Sequence, residues 1–551
     1  MPSIPFTNLF LSWPWILVIV VSIPLAILVH DVILWHRMPP GPQPFPFIGN
    51  NHQIPRSAPW IQFEQWAKQY GPIFTLWIGR RPTVIISDPN IAVELMEKRS
   101  HKYSSRPRFV VMGELYSDMS GVLVQPYGKE WSLRRKLLHT ALTPSALRLY
   151  KPIQEAEASR LCAQLIRDPV SWEQLLDRFT SGIVFAVSYG HRIDSMDSSI
   201  VRQRLAFMHY QAQLNVPGAF LCETFPFLKH VPDFLAPWKA EVKRRGRVEA
   251  AANMALVEDV QRELQAAKET GTDIPDSLTK LLLQMREKEG VPLSPREFAT
   301  VPASLFGAGA DTTASTLCSS FLALVTHPET LAAAHAELDA VIGPARTPTF
   351  ADEPSLPYVR ALCKEVLRWR PVAVLGGTPH ASTEKDVYNG YLIPAGTTIL
   401  GNSWAINLNE KYYPNPHHFN PLRFLGSLED APEVPGQAQP TEKDMEKGVS
   451  HPSSQRGHSS FGWGRRICPG AGLAENSLFI ALAKLLWGFD IRAIKGQMYD
   501  TFDYTAGFNI RPKSFQCVIQ PRSEKHRAVL LKENEHAEAV MSRFTPFREV
   551  V

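Results

Sequence analysis

A mainly helical chain with a small β region and one N-terminal transmembrane helix is the fold class that this sequence predicts, on three observations. From about residue 128 to 370, apolar side chains recur mostly at helical spacing. Short alternating runs bounded by Gly and Pro occur at Ile73–Ile78 and Thr83–Ile86, and a further strand-like patch runs from Asp386 to Ile399. Near the start, Leu9 to Val29 carries no charged residue and is dense in Val, Ile and Leu.

At about 1.5 Å per residue, that first stretch is long enough to cross a bilayer core of roughly 30 Å. A cleaved signal peptide needs a basic leader and a small-residue cleavage site. Residues 1–8 hold no basic side chain, and the flank reads Asp31, Trp35, His36, Arg37, so an anchor over 1–38 is the expectation. Arg37, after the span, places the main body on the cytoplasmic side. The prolines between Pro39 and Pro46 then make a stiff extended connector. Helices are expected at Lys129–Leu142, Ala156–Ile166, Val242–Glu269, Pro302–Val325 and Pro357–Arg368. Between Gly426 and Ser460 the composition turns to Pro, Glu, Lys, Ser and Gln, which predicts a solvated loop.

Composition narrows the function. With 44% hydrophobic, 20% charged and 10% aromatic residues in 551, the chain is globular, neither disordered nor fibrous. A net charge of +5 is spread over both signs, with no aromatic-interleaved basic stripe for nucleic acid. Six cysteines (Cys162, Cys222, Cys318, Cys363, Cys468, Cys517) form neither a disulfide framework nor a zinc spacing.

One of the six stands in Phe461-Gly462-Trp463-Gly464-Arg465-Arg466-Ile467-Cys468-Pro469-Gly470, a glycine-rich turn presenting a single thiol. Gly464 and Gly470 permit close backbone approach. Backbone N–H groups and the Arg465 and Arg466 charges are expected to favour the thiolate, and an apolar helix over Leu473–Leu486 adds its positive end. The pattern F-x-x-G-x-R-x-C-x-G resembles the haem-binding signature of the cytochrome P-450 family, matched at Phe461, Gly464, Arg466, Cys468 and Gly470. The resemblance covers nearly the whole chain. It implies a single haem-thiolate monooxygenase domain over 39–522, haem b with Cys468 as the iron's axial ligand, and a C-terminal tail, 523–551, with no assigned role.

Three other segments accord with that resemblance. Glu365 and Arg368, three apart on a helix, can pair; alone they read as a surface ion pair, and in the family they join an arginine from a P-E-R-F segment. Here that segment is Pro421-Leu422-Arg423-Phe424, with leucine in the glutamate position. In Ala308-Gly309-Ala310-Asp311-Thr312-Thr313, a glycine and a carboxylate interrupt an apolar helix at a cost. A helix cap is the plain alternative, but helical periodicity runs on from Leu305 to Leu324. The segment resembles the family's oxygen-activation motif, in which small residues make room over the iron and Asp311 and Thr312 relay protons as a general acid. Trp131, Arg135, His380 and Arg466 match the family's contacts to the haem propionates.

No dinucleotide fingerprint is present: Gly307-x-Gly309 and Gly470-x-Gly472 lack the third glycine and a preceding strand. The resemblance therefore implies electrons from NADPH-cytochrome P-450 reductase, with cytochrome b5 as a further partner, at the endoplasmic reticulum membrane. Arg134, Arg135, Lys136 and Arg465 are the expected basic docking face. By family position, Val110–Leu123, Phe306, Ala310, Val372–Gly377 and Thr505–Phe508 line a pocket for a hydrophobic, bulky substrate. The stretch Phe220–Trp238 reads either as a bilayer-dipping surface or as a packed core loop. Over its length the chain looks like fungal members that oxidise secondary-metabolite intermediates. Two rivals stand beside a monooxygenase: an isomerase or lyase working without external electrons, and a haem-binding protein without turnover.

Overall fold

In the computed structural model, residues 13–214, 220–425 and 456–546 are described, apart from the side chains of 13–17, 19 and 20. Its helices of twelve residues or more are, in chain order, α1 (Trp13–Arg37), α2 (Pro59–Tyr70), α3 (Lys129–Thr140), α4 (Pro144–Arg167), α5 (Trp172–Tyr189), α6 (Ser199–Leu214), α7 (Pro237–Thr270), α8 (Leu278–Glu289), α9 (Pro295–Thr326), α10 (Pro328–Val341), α11 (Pro357–Trp369), α12 (Ala471–Gly488) and α13 (Glu524–Met541). Many begin with proline in the first turn, where its missing N–H costs nothing. Ser294 opens α9 with a full capping box closed by Glu297.

The strands are short: β1 (Ile73–Ile78), β2 (Arg81–Ile86), β3 (His191–Arg192), β4 (His380–Ala381), β5 (Asp386–Tyr388), β6 (Tyr391–Ile393), β7 (Thr398–Gly401), β8 (Phe489–Arg492), β9 (Val518–Pro521) and β10 (Thr545–Pro546). The largest sheet runs β1-β2-β7-β4. Its first pair is antiparallel, with Ile73 opposite Ile86, while β2 and β7 are parallel, with Thr83 opposite Thr398. The helical body is thus inserted between two neighbouring strands. This sheet carries His380 at its edge, paired with Ile399, and Ala381 bridges to Ser105.

The main core gathers around α9. Its Gly309 lies so close to α5 that a Cβ there would stand 2.4 Å from Val184 Cγ1. Thr180 of α5 donates its hydroxyl to the carbonyl of Ala310 at 2.6 Å. Trp172 stacks on Phe321 with centroids 4.7 Å apart. These contacts fix the rotation of α9, and hence which side chains it turns outward.

The expected elements are present, most with longer bounds; the helix read at Lys129–Leu142 ends two residues earlier, at Thr140. The helix read at Ala156–Ile166 begins at Pro144, and Pro152 lies inside it. The patch Asp386–Ile399 divides into β5, β6 and the start of β7. The loop read at 426–460 lies outside the described residues up to 455, and the apolar span Leu9–Val29 lies partly outside them. Among the described residues, no helix is long and apolar enough to cross a membrane.

Candidate haem-thiolate site

The cysteine loop is held by its glycines and one tryptophan. Gly464 has φ 54°, and a Cβ there would sit 2.1 Å from the Met96 carbonyl oxygen, so only glycine fits. Trp463 is buried against the backbone of Gly376 and Gly401; a Cβ on Gly401 would meet its ring at 2.2 Å. The turn closes where Cys468 N–H donates to the Phe461 carbonyl at 2.8 Å. Three residues on, Ala471 starts α12.

Of the groups expected to act on the thiol, a backbone N–H does so, while Arg465 and Arg466 do not. Burial pushes the thiol pKa up, opposed by the Gly470 N–H and then by Arg135 and Arg456. Arg465 is exposed and bonds to the Tyr127 hydroxyl, and Arg466 turns to backbone carbonyls. The loop charges are therefore spent elsewhere, and burial dominates at the sulfur. A coordinating metal cation supplies what the protein dipoles do not, because it deprotonates a bound thiol outright. The other cysteines are inert by burial: Cys162 and Cys318 are each pushed up to about 12.

Beside the loop lies a group of cations without anions. Arg466 donates to the carbonyls of Ser104 (2.7 Å) and Gln125 (2.7 Å), and its guanidinium lies 4.2 Å over the Trp131 ring. Arg135 donates to the Ile467 carbonyl at 2.5 Å. Arg106 donates to the carbonyls of Leu123, Thr378 and Pro379. Among the described residues none of the three is paired with a carboxylate. Burial lowers all three, and repulsion from neighbouring arginines adds to it at two: Arg106 falls well below its ordinary value and Arg466 to about 9. Buried unpaired charge on this scale calls for an anionic ligand. His380, buried, donates from Nδ1 to the Tyr103 carbonyl at 2.8 Å, and burial with Arg106 beside it lowers its pKa to about 3. As a neutral ring it presents a lone pair at Nε2; to donate to an anion it must take a second proton.

On α9, Ser304, Ala308, Asp311 and Thr312 share the partly exposed face, one helical stripe. A Cβ added at Gly307 would meet nothing within 4 Å. Thr312 donates its hydroxyl to the Ala308 carbonyl at 2.9 Å, and Asp311 Oδ2 accepts from Asn509 Nδ2 at 3.0 Å. Behind them Arg511 pairs with Asp177 at 2.8 Å; burial raises the Asp177 carboxyl, with Asp311 adding to the rise. Phe306 and Ala310 face the other way. Phe306 packs on Phe185 and Tyr189 of α5, and the Ala310 carbonyl is taken by Thr180. Both residues expected to line the pocket are thus buried in the contact with α5 that sets the helix rotation.

The profile of the cytochrome P-450 family matches residues 39–519. The chain belongs to the cytochrome P-450 family. It is 36% identical over 492 residues to cytochrome P-450 monooxygenase 58 of Postia placenta, covering 88% of this chain and 89% of that one. It is 35% identical over 494 residues to cytochrome P-450 monooxygenase fogE of Aspergillus ruber, covering 88% and 87%. A cytochrome P-450 monooxygenase of Armillaria gallica is 33% identical over 534 residues, covering 95% and 97%. Cytochrome P-450 proteins are oxidoreductases that hold haem b through a cysteine thiolate, and the residues here fit that group: one loop thiol beside an anion-seeking cluster. Sequence reading missed Arg106 in that cluster. Its only signal is a basic residue between Ser105 and Pro107, which spacing alone cannot assign.

The P-450 residues expected to lock the fold do so. Arg368 meets both Glu365 oxygens at 2.6 and 2.7 Å, and Arg423 approaches one of them at 3.4 Å. Leu422, in the family's glutamate position, is 60% exposed and takes no part. The expected docking face also changes. Arg134 is buried and paired with Glu297, and Arg135 is bonded to the loop, leaving Lys136 and Arg465 as its exposed cations.

Proposed function

We propose that Cys468 ligates the iron of haem b and that the enzyme inserts one oxygen atom of O2 into a hydrophobic organic substrate. The observation that carries this reading is the loop thiol beside Arg106, Arg135 and Arg466, which among the described residues pair with no carboxylate. Arg106, Arg135, Arg466 and Trp131 would hold the propionates; Phe461, Gly464 and Gly470 shape the loop. The bound haem supplies oxygen activation, favoured by the electron-donating thiolate. The protein's own share is proton delivery. Asp311, tied to Asn509, passes a proton from the solvent side, and Thr312 releases the Ala308 carbonyl to present its hydroxyl beside Asp311 on the same face of α9.

Electrons come from NADPH through cytochrome P-450 reductase, with cytochrome b5 as an auxiliary donor, docking at Lys136, Arg465 and the nearby exposed Lys129. The protein resides at the endoplasmic reticulum membrane. Leu9–Val29 supplies the anchor, and a second apolar surface adds to it: Phe45, Phe47 and Ile48 are exposed, as are Leu221, Phe225, Phe227 and Phe234. The two segments meet across Gly79, whose added Cβ would touch Thr224 at 2.8 Å and the Phe47 carbonyl at 3.8 Å. This favours the bilayer-dipping reading of Phe220–Trp238 over a packed loop. The substrate belongs to fungal secondary metabolism, as the fungal relatives suggest.

The test is the carbon-monoxide difference spectrum of the reduced holoenzyme. A long-wavelength Soret band is expected, and its loss in Cys468→Ser; a Soret band unchanged by that substitution defeats the assignment. Thr312→Ala should uncouple NADPH and oxygen consumption from product formation. Unchanged coupling would show that another group delivers the proton.

A further inference from the structure

A second set of ligand-type side chains converges where α5 runs out. Gly190 ends α5 in a left-handed turn with φ 78°, and the chain enters β3. β3 pairs in parallel with β10, His191 opposite Thr545. His191 is buried, and its Nε2 points to two carboxylates of α7: Asp259 Oδ2 at 3.9 Å and Glu263 Oε2 at 3.6 Å. The three atoms all lie within 4.8 Å of one another. On the other side of the ring, Nδ1 is 3.2 Å from Thr545 Oγ1.

We propose that His191, Asp259 and Glu263 form a divalent-cation site that fastens the C-terminal strand to the helical body. Asp259 and Glu263 are one helical turn apart, so their like charges meet on one face, an arrangement that costs stability when nothing lies between them. When Nδ1–H donates to Thr545, Nε2 presents a lone pair to the same point. Three lone-pair groups then face a common centre. Metal-bound histidines ordinarily have their second nitrogen held in this way, which fixes the ring and its tautomer.

Ligand atoms at about 2.0–2.2 Å from a tetrahedral zinc ion stand roughly 3.4 Å apart. The two separations from His191, 3.6 and 3.9 Å, therefore close by a few tenths of an ångström, and the two carboxylate oxygens, within 4.8 Å of each other, by at most about 1.4 Å. Asp259 and Glu263 are 17% and 35% exposed, so the contraction meets little resistance and the ion has a path from solvent. Asp259 keeps its other oxygen on Arg262 at 2.7 Å, which leaves Oδ2 to coordinate. One imidazole nitrogen with two carboxylates suits Zn2+ or a similar first-row ion better than Ca2+ or Mg2+, which prefer oxygen alone. The consequence is local: the segment after α13 is held through Thr545 and, further back, by Glu538 on Arg160 at 2.9 Å.

The test uses the full-length holoenzyme, stripped of loose metal by a chelator and titrated with Zn2+ in a calorimeter. One saturable equivalent is expected. Asp259→Asn and Glu263→Gln, both at partly exposed positions, should each weaken it about tenfold or more, and Thr545→Val about tenfold. Zn2+ should also slow proteolysis after Met541 in the parent protein and not in Glu263→Gln. No saturable binding overturns the proposal, as does binding that Asp259→Asn and Glu263→Gln leave intact. An imidazolium bridging the two carboxylates is the competing arrangement; it predicts no Zn2+ uptake and a His191 titration that Glu263→Gln shifts.

Discussion

The guanidinium of Arg368 meets both oxygens of Glu365, at 2.6 and 2.7 Å, whereas that of Arg466 donates to backbone carbonyls of Ser104, Val122 and Gln125 and, among the described residues, to no carboxylate. Both side chains are buried. The first belongs to a closed account of charge: Arg368 also reaches the carbonyls of Asn407 and Pro416, and the Asn420 N–H binds Glu365. The second belongs to an open one, with Arg106 and Arg135 repelling it. A buried cation with its own carboxylate is holding the fold. A set of buried cations without one is waiting for a ligand's negative charge.

The comparison breaks most visibly at Glu365. Glu365→Ala leaves Arg368 buried without its carboxylate, which costs about 3–5 kcal/mol. Denaturant unfolding should show that loss in the apoprotein as well as the holoprotein. Arg466→Gln should behave in the opposite way. It removes a repelled cation, so apoprotein stability should hold or rise, while haem affinity falls by the worth of a charged hydrogen bond, about 1.5–3 kcal/mol. Haem transfer to an acceptor such as apomyoglobin measures it. Equal losses in apo and holo forms would place Arg466 with Arg368 as a structural cation.

Acid sharpens the same contrast. His380 and His458 are both buried and lowered to about 3, mainly by desolvation, His380 with Arg106 beside it and His458 with Arg456. Folded pKa values below the unfolded 6.5 mean that the unfolded chain binds more protons between about pH 3 and 6.5. Stability is therefore full above 6.5 and falls below it, by about 1.4 kcal/mol per pH unit for each histidine. His380→Gln should remove one of the two contributions in the apoprotein. Filling the arginine cluster with an anion should shrink the His380 contribution and leave that of His458 alone. Chemical denaturation between pH 5 and 7, with and without haem, tests both.

Much of this was legible because it repeats along the chain. Helical spacing found α7, α9 and α11 with bounds a few residues short and α3 with two residues too many, and alternation found β1 and β2. The cysteine loop announced itself through glycines whose need is visible in the contacts of Gly464 and Gly401. What spacing does not carry is direction. Phe306 and Ser304 are two residues apart on one helix, and only the packing of Gly309 against Val184 decides which of them faces α5. Arg134 and Arg135 are neighbours in sequence, yet one is buried on Glu297 and the other reaches the cysteine loop. Arg106 is invisible for the same reason, since its partners come from residues 123, 378 and 379.

The smallest expected effect concerns the one departure from the family pattern. Leucine at 422 looks in sequence like damage to the Glu365–Arg368–Arg423 lock. In the fold its side chain is 60% exposed, while Arg423 beside it still approaches Glu365 and donates to the Asn415 carbonyl at 2.9 Å. The lock thus depends on Arg423 and on the Asn420 N–H, and position 422 only spaces them. Leu422→Glu should accordingly change unfolding free energy by less than about 0.5 kcal/mol, the usual range for an exposed site. Arg423→Ala in the same assay should cost several times more, because Glu365 then keeps Arg368 alone. If Leu422→Glu instead stabilises the protein by more than Arg423→Ala destabilises it, the exposed position is part of the lock and the closed account around Arg368 was incomplete.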